Sequence, residues 1–200
     1  MTQADTGHAG APAEAARARV ERAALDLFAQ RGFENVTSDE VADAAGISRR
    51  TFFRYFATKA DAVWGDFAGH VARLEALLAA GDPARPVLAS VCAAYVEVNA
   101  YPASQLHLLR ERMQLIFTEP ALLAHSQLRF AEVDRAVARY VAGRTGGSPD
   151  QLVPRLVAAS TRAAATTAFQ AWLADERSSL VGQLQTALEE MAGGFPALRR

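Results

Sequence analysis

A single cysteine, Cys92, is present among the 200 residues. That excludes an intramolecular disulfide framework and any cysteine cage for zinc, both of which need several thiols at set spacing. Such usage fits a reducing cytoplasm. Lysine is almost missing too, since Lys59 is the only one and every other cationic side chain is Arg. Neither sign of charge is in excess: Lys and Arg number 21 against 22 Asp and Glu, which rules out a polybasic or histone-like character. Any nucleic-acid contact must therefore come from a local patch. Long apolar runs are absent as well. The longest charge-free stretches, Val98–Leu109 and Ala163–Ala174, reach 12 residues each, whereas a bilayer span needs about 18 or more apolar ones. No membrane crossing is expected. The first 16 residues carry no Lys or Arg, so they lack the charged start and apolar centre of a secretion signal.

Catalytic signatures are missing in the same way. His8, His70, His107 and His125 occur without the HExxH spacing of a zinc protease, and no G-x-S-x-G, phosphate-binding loop or G-x-G-x-x-G is found. Neither an enzyme nor a metal or cofactor site is expected. Glu189-Glu190 reads as a solvated helix end rather than a catalytic pair.

Alanine supplies about a fifth of the chain, and such a composition has high helix propensity. From Glu14 to Arg31 the apolar positions Val20, Ala24, Leu27 and Phe28 form one helical stripe, and Gly32 follows as its stop. Thr37-Ser38-Asp39-Glu40 has the spacing of a capping box, so a short second helix is expected to bury Val41, Ala42 and Ala45 and to end at Gly46. Ser48 can cap a third helix, Arg49 to Phe56, in which Phe52 and Phe56 face one core. Thr58 and Asp61 open a long helix over Ala60–Ala80. Further helices are expected at Ala84–Ala100, Ser104–Phe117, Pro120–Ala142, Pro149–Ala174 and Arg177–Met191, bounded by Pro, Gly and Asp. The expectation is an all-α chain of about nine helices, with no strand. Its parts are a disordered tail over 1–13, a helix-turn-helix head over 14–57, a regulatory and dimerisation bundle over 58–193, and a second tail over 194–200.

Two short helices joined by a tight turn with glycine, the second carrying Arg on its outer face, have the geometry of a helix-turn-helix. Charge supports that placement. Between Gly46 and Lys59 stand Arg49, Arg50, Arg54 and Lys59 and no anion, which concentrates positive charge where a duplex backbone would be met.

The stretch Gly32-Phe33, then Val41-Ala42, Ala45-Gly46-Ile47-Ser48, Thr51-Phe52-Phe53-Arg54-Tyr55-Phe56 and Lys59 resembles the DNA-binding signature of the tetracycline-repressor (TetR) family. Order, spacing and residue type agree at more than ten positions over about 45 residues. The rest matches in helix number and in the run Arg112, Ile116-Phe117 and Glu119-Pro120-Ala121-Leu122. One departure stands out: Phe53 occupies a position where members commonly carry Tyr, so a phosphate hydrogen bond is lost there or passes to Tyr55. A narrower likeness joins Gly46–Phe56 and Val63-Trp64-Gly65-Asp66-Phe67 to regulators of the mycofactocin-associated branch, for which acyl-coenzyme A effectors are known.

The resemblance implies a cytoplasmic regulator, a repressor by the family's tendency, that binds a palindromic double-stranded operator as a homodimer. The third helix would enter the major groove, with Arg49 and Arg50 reading bases and Thr51 and Arg54 beside them. Arginine can grip guanine O6 and N7 with two hydrogen bonds. Thr37, Ser48, Tyr55 and Lys59 would meet phosphate oxygens. Capping alone explains Thr37 and Ser48 equally well. Lys59 opens a helix, where the macrodipole disfavours a cation, so something anionic is expected near it.

In the family the last two helices of two protomers form the dimer seam. The small residues Ala158, Ala159, Ala163, Ala164, Ala165, Ala168 and Ala171, and the stripe Leu180, Leu184, Ala187, Leu188 and Met191, permit this, although intramolecular packing would use the same pattern. An effector pocket is implied in the middle helices, where Trp64, Tyr95, Asn99, His107, Arg110, Gln114, Phe117, Phe169 and Trp172 are polar or aromatic among apolar neighbours. Two rivals remain at this point. A helical small-molecule binding protein without DNA function would bind neither duplex nor heparin, and a DNA-binding protein without an effector would gain no thermal stability from small molecules.

Overall fold

The computed structural model describes residues 10–195. Among them are ten helices and no strand: α1 (Gly10–Arg31), α2 (Ser38–Ala44), α3 (Arg49–Tyr55), α4 (Lys59–Trp64), α5 (Phe67–Ala80), α6 (Val87–Val98), α7 (Ala103–Thr118), α8 (Pro120–Thr145), α9 (Leu152–Ala174) and α10 (Leu180–Gly193). The chain is all-α, as its composition and periodicity predict. Helix α1 begins ahead of the expected Glu14. The rest of the expected tail before Gly10, and residues 196–200, lie outside the described residues.

The expected helix Ala60–Ala80 is two helices. Gly65 divides them, at φ 62° and ψ −138°, a conformation that a Cβ makes costly and that glycine adopts freely. The stripe Val63, Phe67, Val71 runs on through the break, so periodicity alone conceals it.

Two compact units make up the chain. The first comprises the residues up to Asp66 together with Gln114–His125; the second comprises Phe67–Met113 and the residues from Ser126 onward.

In the first unit, local signals fix the short helices. Thr37 Oγ1 accepts the Glu40 N–H at 3.2 Å while Glu40 Oε2 accepts the Thr37 N–H at 2.8 Å, so the capping box closes from both sides. Gly46, at φ 67°, makes the turn, and its N–H and that of Ile47 satisfy the carbonyls of Asp43 and Ala42, each at 3.0 Å. Ser48 then accepts the Thr51 N–H at 3.2 Å and starts α3. Thr58 and Asp61 form a second capping box at the start of α4. These elements meet over one core of Val20, Ala24, Phe28, Val36, Val41, Phe52, Ala62 and Val63, all buried. Each large side chain there contributes about 1.5–3 kcal/mol on leaving water.

In the second unit α10 packs on α9 and α6, and α5 packs on α6. Its core holds Leu74 and Leu78, Val91 and Tyr95, Val137, Trp172, Leu184 and Leu188. The alanines of α9 divide between two faces: Ala158, Ala165 and Ala168 are buried within the protomer, whereas Ala159, Ala163 and Ala171 are exposed. Arg162 ties α9 to α8 by placing Nε 3.0 Å from each oxygen of the Asp134 carboxylate.

Candidate nucleic-acid interface

The head offers its cations on α3. Phe52 faces the core at this helix, and at 100° per residue the opposite side carries Arg50 and Arg54. Both are exposed. The Arg50 guanidinium has no partner among the described residues, which leaves all its donors available. Arg49 is held instead: its Nη1 lies 2.5 Å from Asp39 Oδ2 of α2, and its guanidinium is 5.3 Å from the centroid of Phe53. Arg54 stacks on its neighbour Tyr55, 4.9 Å from the ring centroid, and donates to the Tyr55 hydroxyl at 2.9 Å. The phenol proton remains free for an outside acceptor. Thr37 and Ser48 both act as caps, and the Ser48 hydroxyl is also 3.0 Å from that of Thr51.

Lys59 departs from the expectation of an anion. Its Nζ donates to the carbonyls of Phe33 at 2.7 Å and Val36 at 2.8 Å, and sits 4.3 Å from the centroid of the Phe33 ring. Carbonyl oxygens and a π face offset the macrodipole there. Lys59 thereby ties the start of α4 to the loop between α1 and α2. Sequence reasoning missed a related tie, in which Arg17 of α1 donates to the Gly65 carbonyl at 2.9 Å and lies 5.2 Å from the Phe56 ring. The unusual backbone at Gly65 turns that carbonyl outward from its helix, and nothing local in the sequence displays such a direction.

Electrostatics strengthen the second helix of the head. The Glu40 carboxyl is held down at about 2 by the Thr37 backbone N–H first, then by the Thr37 hydroxyl and by Arg31, whose Nη1 is 2.8 Å from Glu40 Oε1.

The nine residues expected around an effector are spread across both units. Trp64, Gln114 and Phe117 belong to the first unit and the others to the second. Tyr95 is buried, its hydroxyl has no partner among the described residues, and burial pushes its pKa up, with Asp134 adding to the shift. Asn99 donates to the Tyr95 carbonyl at 2.8 Å. Arg110 lies 4.1 Å from the Trp172 ring centroid and donates to the Trp172 carbonyl at 2.8 Å, while Phe169 meets Trp172 edge to face. His107 is 79% exposed in side chain and pairs with Glu111 at 3.3 Å, and Gln114 is exposed.

None of the nine lines the three cavities described in the second unit. The largest of these, about 770 Å³, is an open groove between α6 and α10 over Leu88, Cys92, Val96 and Leu188, with Arg85, Glu97, Gln185 and Glu189 at its polar margin. Burial raises the Cys92 thiol, so this side chain acts there as a small apolar group. The small and apolar spacing Leu88, Ala89, Cys92, Val96 was the available signal in the sequence. Among the described residues no group of His, Cys, Asp or Glu could hold a metal ion, and no helix is long and apolar enough to cross a membrane.

Comparison with known proteins agrees with the head and the bundle. Residues 22–62 match the bacterial regulatory proteins of the tetR family, and residues 85–196 match the MftR C-terminal domain. The chain is 37% identical over 177 residues to MftR of Mycobacterium tuberculosis, which carries the name of a mycofactocin biosynthesis transcriptional regulator; 88% of this chain and 89% of that one are covered. It is 28% identical over 165 residues to TcmR of Streptomyces glaucescens, an HTH-type transcriptional regulator, covering 78% and 72% respectively. In fold it is similar to FadR of Thermus thermophilus, a TetR-family repressor solved with lauroyl-CoA, at a TM-score of 0.56 and 22% identity over 89% of this chain and 94% of that one. The signature on α2 and α3, the exposed arginines of α3 and the matches along both parts of the chain have one meaning: this protein belongs to the TetR family of DNA-binding transcriptional regulators.

Proposed function

We propose that this regulator is a cytoplasmic repressor that grips a palindromic operator as a homodimer and is released by a small-molecule effector with an apolar chain, an acyl-coenzyme A. The observation that carries the DNA part is Arg50, exposed and without a partner among the described residues on the outer side of α3. In this reading Arg50 contacts a guanine edge, and Arg49 joins it once Asp39 lets go. Thr51 and Arg54 flank the bases. Thr37, Ser48, Tyr55 and Lys59 lie toward the phosphates, with two of the three Lys59 donors already committed to carbonyls.

The effector part is supported by the open groove between α6 and α10, about 770 Å³, whose apolar floor of Leu88, Cys92, Val96 and Leu188 suits an acyl chain. The lauroyl-CoA complex of the Thermus FadR is a second support. Release follows if the ligand prefers a protomer geometry that spaces the two reading helices wrongly, because DNA affinity then falls by the ligand's differential affinity for the two states.

Fluorescence anisotropy against the intergenic DNA flanking the gene, with random duplex as control, tests both parts. Specific binding that lauroyl-CoA reverses is the expected result. Specific binding unmoved by lauroyl-CoA overturns the effector reading alone. Arg50→Ala should relax base preference at one position by about 1–3 kcal/mol, and equal losses on specific and random DNA would remove it from base reading.

A further inference from the structure

Phe53 is 43% exposed on α3, the helix that otherwise shows cations to solvent. An aromatic side chain there gains little from the core. Its ring meets buried Phe52 at 83° with centroids 5.3 Å apart, so it is anchored at one end and open at the other. At positions i−4 and i−3 stand Arg49 and Arg50, which border the ring along the helix surface. The Arg49 guanidinium lies 5.3 Å from the ring centroid while Asp39 holds its far end. The result is an exposed apolar spot bordered by Arg49, which Asp39 holds in place, and by Arg50.

We infer that Phe53 reads thymine, packing its exposed ring against the C5-methyl group in the operator's major groove. The surroundings select the partner. Arg50 and Arg54, both exposed on this helix, bring a polyanion to this face. In a helix-turn-helix the second helix lies in the major groove, and the thymine methyl is the one apolar group that B-DNA displays there. Phenylalanine has no donor for a phosphate, so toward DNA its ring offers apolar surface. Arg50, three residues back, would stand beside it toward a neighbouring base. Phe53 is thus a specificity-determining residue, and its contact favours A·T over G·C where the arginines favour the reverse.

This rests on α3 being the reading helix, and the test separates the two. A specific duplex is selected by the full-length protein from a random-sequence library, and each thymine is replaced in turn by deoxyuridine, which deletes only the methyl group. At one thymine in each half-site the wild-type protein should lose about fourfold in affinity, the amount set by exposing one apolar carbon. Phe53→Ala, checked for unchanged helix content and melting, should bind the parent and that deoxyuridine duplex equally. Insensitivity of the wild-type protein to every replacement, with specific binding intact, overturns the role of Phe53 and leaves the reading helix standing. Sensitivity that persists undiminished in Phe53→Ala overturns that role equally. Failure to select any sequence overturns the reading helix and this contact together.

Discussion

The Lys59 ammonium lies 4.3 Å from the centroid of the Phe33 ring and donates to the Phe33 carbonyl at 2.7 Å, so one cation holds both the side chain and the backbone of a single residue. With the Val36 carbonyl at 2.8 Å it fastens the loop before α2 to the start of α4. Replacement by Met keeps most of the stem and removes the donors. Lys59→Met should destabilise the protein by about 1.5–3 kcal/mol, the range for hydrogen bonds to a charged group, read as a lower urea midpoint. An unchanged midpoint would deny the tie. The proposed phosphate contact has its own readout: the salt dependence of DNA binding should weaken by about two counterions per dimer. Lower stability with an unchanged slope would assign Lys59 to the fold alone.

Glu40 makes the head sensitive to acid. Its folded pKa of about 2 lies below the unfolded 4.5, so between these values the unfolded chain binds the extra proton and stability rises with pH. The stabilisation is complete above about pH 4.5 and is lost as pH falls through about 2. A carboxyl titration by NMR should place the Glu40 midpoint near 2. Glu40→Gln should flatten the acid limb of the stability profile, whereas an identical limb in the variant would show that other carboxylates set it.

The head was legible because its instructions are local. Thr37 with Glu40, Gly46 and Ser48 each act within a few residues, and the spacing of Phe52 and Phe56 already states which side of α3 is buried. Long side chains were harder. Lys59 announced that its cation needed compensation, but the compensating oxygens belong to carbonyls, whose directions depend on the fold and not on residue identity. The groove between α6 and α10 was half legible: the spacing Leu88, Ala89, Cys92, Val96 marks one wall, but nothing in the sequence names the opposite one. It depends on how two helices distant in sequence meet, whereas aromatic and polar residues such as Trp172 and Arg110, which stand out in the sequence, are engaged with one another.

Gly65 gives the next test. Its backbone combines φ 62° with ψ −138°, and its carbonyl receives the Arg17 guanidinium at 2.9 Å. A Cβ at this position strains the chain whatever space surrounds it. Gly65→Ala should cost about 1–3 kcal/mol, visible as a lower melting temperature. Arg17→Met should lower it too, with a smaller loss in the Gly65→Ala background if the strained carbonyl moves. Full tolerance of alanine would show that α4 and α5 can join into the continuous helix that the periodicity describes.

Leu152, Val153 and Leu156 at the start of α9 are 78%, 58% and 57% exposed. Contiguous apolar exposure of this kind on a bundle helix marks an interface. Ala159 and Ala163 continue the face of Leu156 at i+3 and i+7 and are small enough for close helix approach. The proposed dimer would use this side of α9, since the other side, with Ala158, Ala165 and Ala168, is already filled within the protomer. By two-fold symmetry Leu156→Glu removes two buried leucines per dimer, at about 1.5–3 kcal/mol each. The dimer dissociation constant should rise at least about 100-fold, seen as a shift toward monomer in sedimentation velocity. Specific DNA affinity should fall with it, because a monomer presents one reading helix where successive major grooves about 34–36 Å apart require two. A variant that remains dimeric would place the seam elsewhere and return these leucines to the ordinary exposed surface.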